Sequence, residues 1–189
     1  MARYNGALVF SLLALQCAAT FAQVDRTLES GATGTDVVIA TVDRIRESGI
    51  FPDDHQFLRR MALVESNDGE GETTGGIWNV ARSDAWTKLR KFFQNVGRSE
   101  RARTQQMQVQ MAFDITWTHT SPTIDDLNKP LYSALAVMLY IQAKQKTIPD
   151  SISGQANLWE ELFNDGATTP TRNDFVSAAT SLEEEGKTM

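Results

Sequence analysis

The sequence predicts a mainly α protein: one helical domain around a single buried central helix, with at most a small strand region. Three observations predict it. Apolar residues recur at every third or fourth position through most of the chain, the spacing of a helix face. One stretch, Leu131 to Ile141, is apolar or aromatic everywhere except at Ser133, as in a helix buried on all sides. A chain of 189 residues is also long enough to bury one sizeable core.

The N-terminus reads as an export signal over residues 1–22. Arg3 precedes an apolar run from Ala7 to Leu15, and Thr20-Phe21-Ala22 follows at the small-x-small spacing that signal peptidase reads. The run is shorter than the roughly 20 apolar residues that cross a bilayer. Cleavage after Ala22, or after Ala19 as the second choice, removes the only cysteine, Cys17. The expectation is therefore a secreted, extracellular, disulfide-free protein with no membrane association after cleavage. Losing Arg3 also takes the net charge one unit below the −6 of the whole chain, and an acidic chain is a poor partner for nucleic acid. No Asn-x-Ser/Thr sequon is present.

Residues 23–34 are polar with two glycines and read as a flexible arm. Val38, Val42 and Ile45 make a helical stripe that stops at Gly49. Pro52-Asp53-Asp54 opens a second helix. Phe57, Met61 and Val64 lie on one side of it, and Leu58, Ala62 and Glu65 on the adjoining side. It ends near Ser66, because residues 67–76 are a loop by composition. After the apolar patch Ile77-Trp78-Asn79-Val80, Ser83 caps a helix carrying Trp86, Leu89 and Phe93 that stops at Gly97.

Met107 to Trp117 is ambiguous: alternation of apolar and polar residues suggests a strand, while the helix formers before it suggest a helix to about Ala112 and an extended piece beyond. Pro130 starts the central helix. Ala156, Trp159, Leu162 and Phe163 mark another, which stops at Asn164-Asp165-Gly166. Thr171-x-x-Asp174 resembles a capping box before a last helix with Phe175, Val176 and Ala179. The acidic residues 181–189 read as a disordered tail.

Glu65 stands out chemically. It falls seven positions after Leu58 and three after Ala62, so it shares a side with apolar residues at a helix end beside a glycine-rich loop. A carboxyl group on apolar surface is costly to ionise, so its pKa rises. A carboxylic acid still protonated near neutral pH can protonate a leaving glycosidic oxygen.

Met61-Ala62-Leu63-Val64-Glu65-Ser66, the glycine-bearing loop and Gly75-Gly76-Ile77-Trp78-Asn79-Val80 together resemble the active-site signature of the goose-type lysozyme and soluble lytic transglycosylase superfamily. Lys129 to Leu135 is similar to that family's central helix, and Phe163-Asn164-Asp165-Gly166-Ala167 is faintly similar to its Tyr-Asn-Ala-Gly element. The resemblance implies a lysozyme-like domain over residues 35–180, with Glu65 as general acid. It implies a cleft lined by Ser66, Gly76, Ile77, Trp78, Asn79 and Phe163, and a β-1,4-linked amino-sugar polymer, peptidoglycan or chitin-like, as partner. No cofactor is implied. The chain departs from the pattern at Asn79, where the family has Gln, and at Phe163, where it has Tyr.

A hydrolase that inverts needs a second carboxylate to activate water, whereas a lytic transglycosylase needs none. Asp68, Glu70, Glu72 and Asp84 are near enough in sequence, and Asp68, closest to the helix end that presents Glu65, is the first choice for that second catalytic carboxylate. The alternation Asp68, Glu70, Glu72 also suggests a calcium loop. The glycine and glutamate that such a loop requires are replaced by Thr73 and Asn79, which favours a solvated acidic loop and no metal. His55 and His119 lack ligand partners at useful spacing. Trp78, Trp86, Trp117 and Trp159 could stack on sugars, but their helical or alternating positions make most of them core. The alternative is a non-catalytic secreted binding or extracellular matrix protein that reuses the fold. Acidity favours that alternative, because bacterial walls are themselves anionic.

Overall fold

Helix α5, Pro130–Ala143, is the axis of the molecule: every residue from Ser133 to Ile141 is buried. Its proline occupies the first helical turn, where a missing N–H costs nothing. The computed structural model describes residues 25–164 and 169–188, so the export signal of residues 1–22 and the glycine stop at Asp165-Gly166 lie outside the described residues. Around α5 are α1 (Thr35–Glu47), α2 (Phe57–Ser66), α3 (Ala85–Gln94), α4 (Glu100–Phe113), α6 (Ile152–Trp159) and α7 (Arg172–Thr188). The architecture is mainly α, and no strand occurs among the described residues. Helices α1 and α3 pack on α5, while α2 and α6 pack on α7.

The stripes lie where the spacing puts them. Val38, Val42 and Ile45 of α1 are buried, as are Phe57, Leu58, Met61 and Ala62 of α2, and Trp86, Leu89 and Phe93 of α3. Helix α2 starts later than Pro52, because His55 and Gln56 take left-handed backbone angles. Asp54 caps it instead, its side chain accepting from the Leu58 N–H at 3.0 Å. Asn67, also left-handed, ends it directly after Ser66. At α7, Thr171 and Asp174 form the capping box: the Thr171 N–H donates to the Asp174 carboxylate at 2.7 Å and the Asp174 N–H donates to the Thr171 hydroxyl at 3.3 Å.

The ambiguous segment is helical to Phe113, close to the end at about Ala112 that its helix formers suggested, and Asp114 then turns left-handed; two other expectations, on residues 25–34 and 181–188, differ from the structure. Met111, apparently part of a strand face, is 84% exposed, while Val109 and Phe113 turn inward at helical spacing. Residues 25–34 lie against the body and not loosely: Thr27 and Ala32 are buried, the Gly31 N–H donates to Asn128 O at 2.9 Å, and the Gly34 N–H donates to Asp68 O at 2.8 Å. Residues 181–188 continue α7 as helix. There Glu183 pairs at 2.7 Å with the buried Arg60 guanidinium, which also donates to Gln155 Oε1 and His55 O.

Candidate functional site

Glu65 lies in the last turn of α2, with Leu58 and Ala62 on its own side fully buried. Its side chain is only 1% exposed. The Trp159 indole N–H, from the end of α6, donates to Glu65 Oε1 at 2.7 Å. The other oxygen, Oε2, faces Arg82, whose Nη2 stands 2.9 Å away while its side chain remains 27% exposed. That contact is an ion pair without an aligned hydrogen bond, since neither Oε2 nor Nη2 has a hydrogen-bond partner.

Burial pushes the Glu65 carboxyl above the usual carboxylate range, against the opposing pull of the Arg82 charge and of hydrogen bonding from Trp159 and Asn79. The negative end of the α2 dipole acts in the same direction as burial. When the group is protonated, Oε1 is already taken by the indole donor, so the proton resides on Oε2, toward Arg82.

The loop after α2 is fastened to the helix end by its own polar groups. Ser66 Oγ donates to Ile77 O at 2.6 Å and accepts from the Gly69 N–H at 2.8 Å. Asn79 donates through Nδ2 to the Glu65 backbone carbonyl at 2.6 Å and accepts the Thr74 N–H on Oδ1 at 2.6 Å. Trp78 is buried and donates its indole N–H to Leu58 O at 2.8 Å. Gly75 and Gly76 press against α5, where the Ser133 hydroxyl donates to Gly75 O at 2.8 Å. Gly76 has φ +78°, and a Cβ there would lie 1.9 Å from Leu127 O. Phe163 packs in the core against Tyr140 and Phe57.

The residues assigned to a cleft thus lie in the interior. Ser66, Gly76, Ile77, Trp78, Asn79 and Phe163 are all buried, and the polar atoms of Ser66 and Asn79 bond to the loop and helix end rather than outward. Asp68 is held elsewhere. Its Oδ1 takes the Arg59 guanidinium, its Oδ2 accepts the Thr35 hydroxyl at 2.7 Å, and it shares no partner side chain with Glu65. Among the other carboxylates, Asp84 pairs with Lys88 at 2.5 Å, and Glu70 and Glu72 are exposed on the loop. His55 lies beside Asp150 at 3.0 Å, and among the described residues no group of three or more His, Cys, Asp or Glu is placed to hold a metal.

Compared with known proteins, the chain matches no family model, no curated protein and no solved structure.

Sequence reasoning missed both partners of the Glu65 carboxyl. Trp159 entered only as part of an apolar stripe, and nothing in the sequence singled out Arg82. The resemblance looks for an orienting hydroxyl at position 163. The donor is instead the indole of Trp159, one helical turn earlier.

Proposed function

We propose that this chain is a secreted, lysozyme-like protein that cleaves β-1,4-linked amino-sugar polymers, as a glycosidase or lytic transglycosylase, with Glu65 as its general acid. The observation that carries the reading is the Glu65 carboxyl itself. It is buried at a helix end, raised in pKa by that burial, and held in one orientation by the Trp159 N–H. Those are the properties that keep an acid protonated and aimed.

In this reading the proton passes from Oε2 to the glycosidic oxygen as the bond from that oxygen to the sugar C1 breaks, leaving oxocarbenium character at C1. The substrate must then approach from the side of Arg82, whose side chain is the partly exposed member of the pair. Because both Asp68 oxygens are engaged, the arrangement favours a route with one carboxylate, in which a hydroxyl of the substrate attacks C1 intramolecularly and gives up its proton to the Glu65 carboxylate, restoring the acid. Cleavage of peptidoglycan or chitooligosaccharides by the purified protein tests this directly. Glu65→Gln should reduce the rate by about 10²–10⁴-fold with the fold intact. A variant as active as the wild type would end the proposal.

One observation favours the non-catalytic reading as a second choice: the residues that would line a cleft are buried and bond to one another. A binding or matrix protein would be retained on insoluble peptidoglycan, chitin or calcium carbonate equally well as Glu65→Gln, since no proton is transferred.

A further inference from the structure

Helix α4 and the C-terminal end of α5 border an open groove of about 740 Å³. Its walls are amides and a hydroxyl: Thr104, Gln105 and Gln108 from α4, with Gln142 and Gln145 from the end of α5. None of these residues touches the Glu65 carboxyl, whose partners come from α6 and from the segment before α3. Among the lining residues Gln105 is only 5% exposed. Its Nε2 donates to Gln142 Oε1 at 2.8 Å, and its Oε1 is buried with no hydrogen-bond partner. A buried carbonyl oxygen without a donor costs about 1–3 kcal/mol, which a ligand donor would recover.

The character of the walls selects the ligand. No apolar side chain lines the groove, so a peptide would find no pocket for an anchoring residue. The charges at the rim are compensated. Lys146 pairs with Glu161 at 3.0 Å, Arg101 stands over the Phe92 ring at 5.3 Å from its centroid, and Glu100 supplies an opposing charge. Neither an anion nor a cation is favoured by that balance. The orphan Gln105 oxygen calls for an O–H or N–H donor, and the neighbouring amide NH₂ groups call for acceptors. Groups that present both at close spacing without charge are the hydroxyls and acetamido groups of a sugar. We infer that this groove is a binding site for a neutral saccharide, separate from the Glu65 site and independent of the activity proposed for it.

The test uses the ¹⁵N-labelled purified protein titrated with chitotetraose, cellotetraose and maltotetraose, and with a neutral blocked tetrapeptide and tetragalacturonate as contrasts. At least one neutral oligosaccharide should shift the side-chain NH₂ resonances of Gln105 and Gln142. Its affinity should fall at least tenfold in Gln105→Leu, and also in the Gln108→Ala,Gln145→Ala double variant, whose positions are more exposed and leave the core untouched if Gln105→Leu does not fold. Glu65→Gln should bind unchanged. The inference is overturned if no neutral oligosaccharide moves these resonances, or if only the peptide or the charged sugar does. It is equally overturned if binding survives the groove variants or is lost in Glu65→Gln.

Discussion

The indole nitrogen of Trp159 lies 2.7 Å from Oε1 of Glu65, across 94 positions of sequence. The contact ties the end of α2 to the end of α6 and fixes which carboxyl oxygen is free. It leaves Oε2 facing Arg82. The chemistry proposed for Glu65 and the stability of the helix ends around it therefore depend on the same two side chains.

Replacing Trp159 with Phe keeps a ring and removes the donor. The smaller ring and the lost hydrogen bond should together destabilise the fold by about 2–4 kcal/mol in urea unfolding. The Glu65 carboxyl should titrate still higher, because the hydrogen bond that now pulls its pKa down is gone. Carbon-13 NMR of the labelled Glu65 carboxyl reads this, and an unmoved or lowered titration would contradict the assigned geometry.

The pH dependence of stability has a definite sign at Glu65. Its folded pKa is raised above the ordinary 4.5, so the fold holds a proton that the unfolded chain releases first. Below that ordinary value the group carries no penalty. As pH rises through the window up to the raised folded value, stability is lost. Glu65→Gln removes the loss, so its melting temperature should gain on the wild type as pH rises above 4.5. Asp126, held down by Lys129, and Asp174, held down by the Thr171 N–H, act oppositely and weaken the fold only as pH falls below their ordinary 3.8. Melting curves of wild type and variant that run parallel across this range would sink the argument.

Asp68→Asn separates a structural role from a catalytic one. The charge it removes faces the Arg59 guanidinium, and both side chains are largely buried. Stability should fall by about 1–3 kcal/mol, less than for a fully buried pair because Arg59 keeps some solvent. Any glycan cleavage, normalised to folded protein, should hardly change. A variant with wild-type stability and no cleavage would instead make Asp68 the second carboxylate of an inverting hydrolase.

Gly76→Ala should be among the most damaging substitutions in the chain. The residue sits at φ +78°, and the added methyl carbon would overlap Leu127 O and crowd Ser133 of the central helix. A loss above about 4 kcal/mol, or failure to fold, is expected. Gly97→Ala is the control: nothing lies within 4 Å of its Cβ position, and the change should be neutral or stabilising by about 0.4–1 kcal/mol. Comparable melting temperatures for the two variants would show that the loop does not press on α5.

Expression in a secreting host checks the export signal. Secreted material should begin at Gln23, and N-terminal sequencing that finds Met1 retained would remove both the extracellular reading and the disulfide-free one.

What the sequence by itself determined is what neighbours along the chain decide. Pro130, the Thr171–Asp174 box and the apolar stripes fix helices through residues three or four apart, and those elements formed where the spacing placed them. The same spacing turned Glu65 inward, because its surroundings on that side are Leu58 and Ala62 of its own helix. The tertiary structure alone decided what the carboxyl meets. No local pattern brings residue 65 to residue 159, locks Asp68 onto Thr35 and Arg59, or lays residues 25–34 along the body. It also settled α4, whose apolar alternation fits either period until packing shows which side chains have a core to enter: Val109 and Phe113 do, and Met107 and Met111 do not. Periodicity records which side of a helix is dry, whereas the partner across the interface depends on how separate helices pack, and that information is spread over the whole chain.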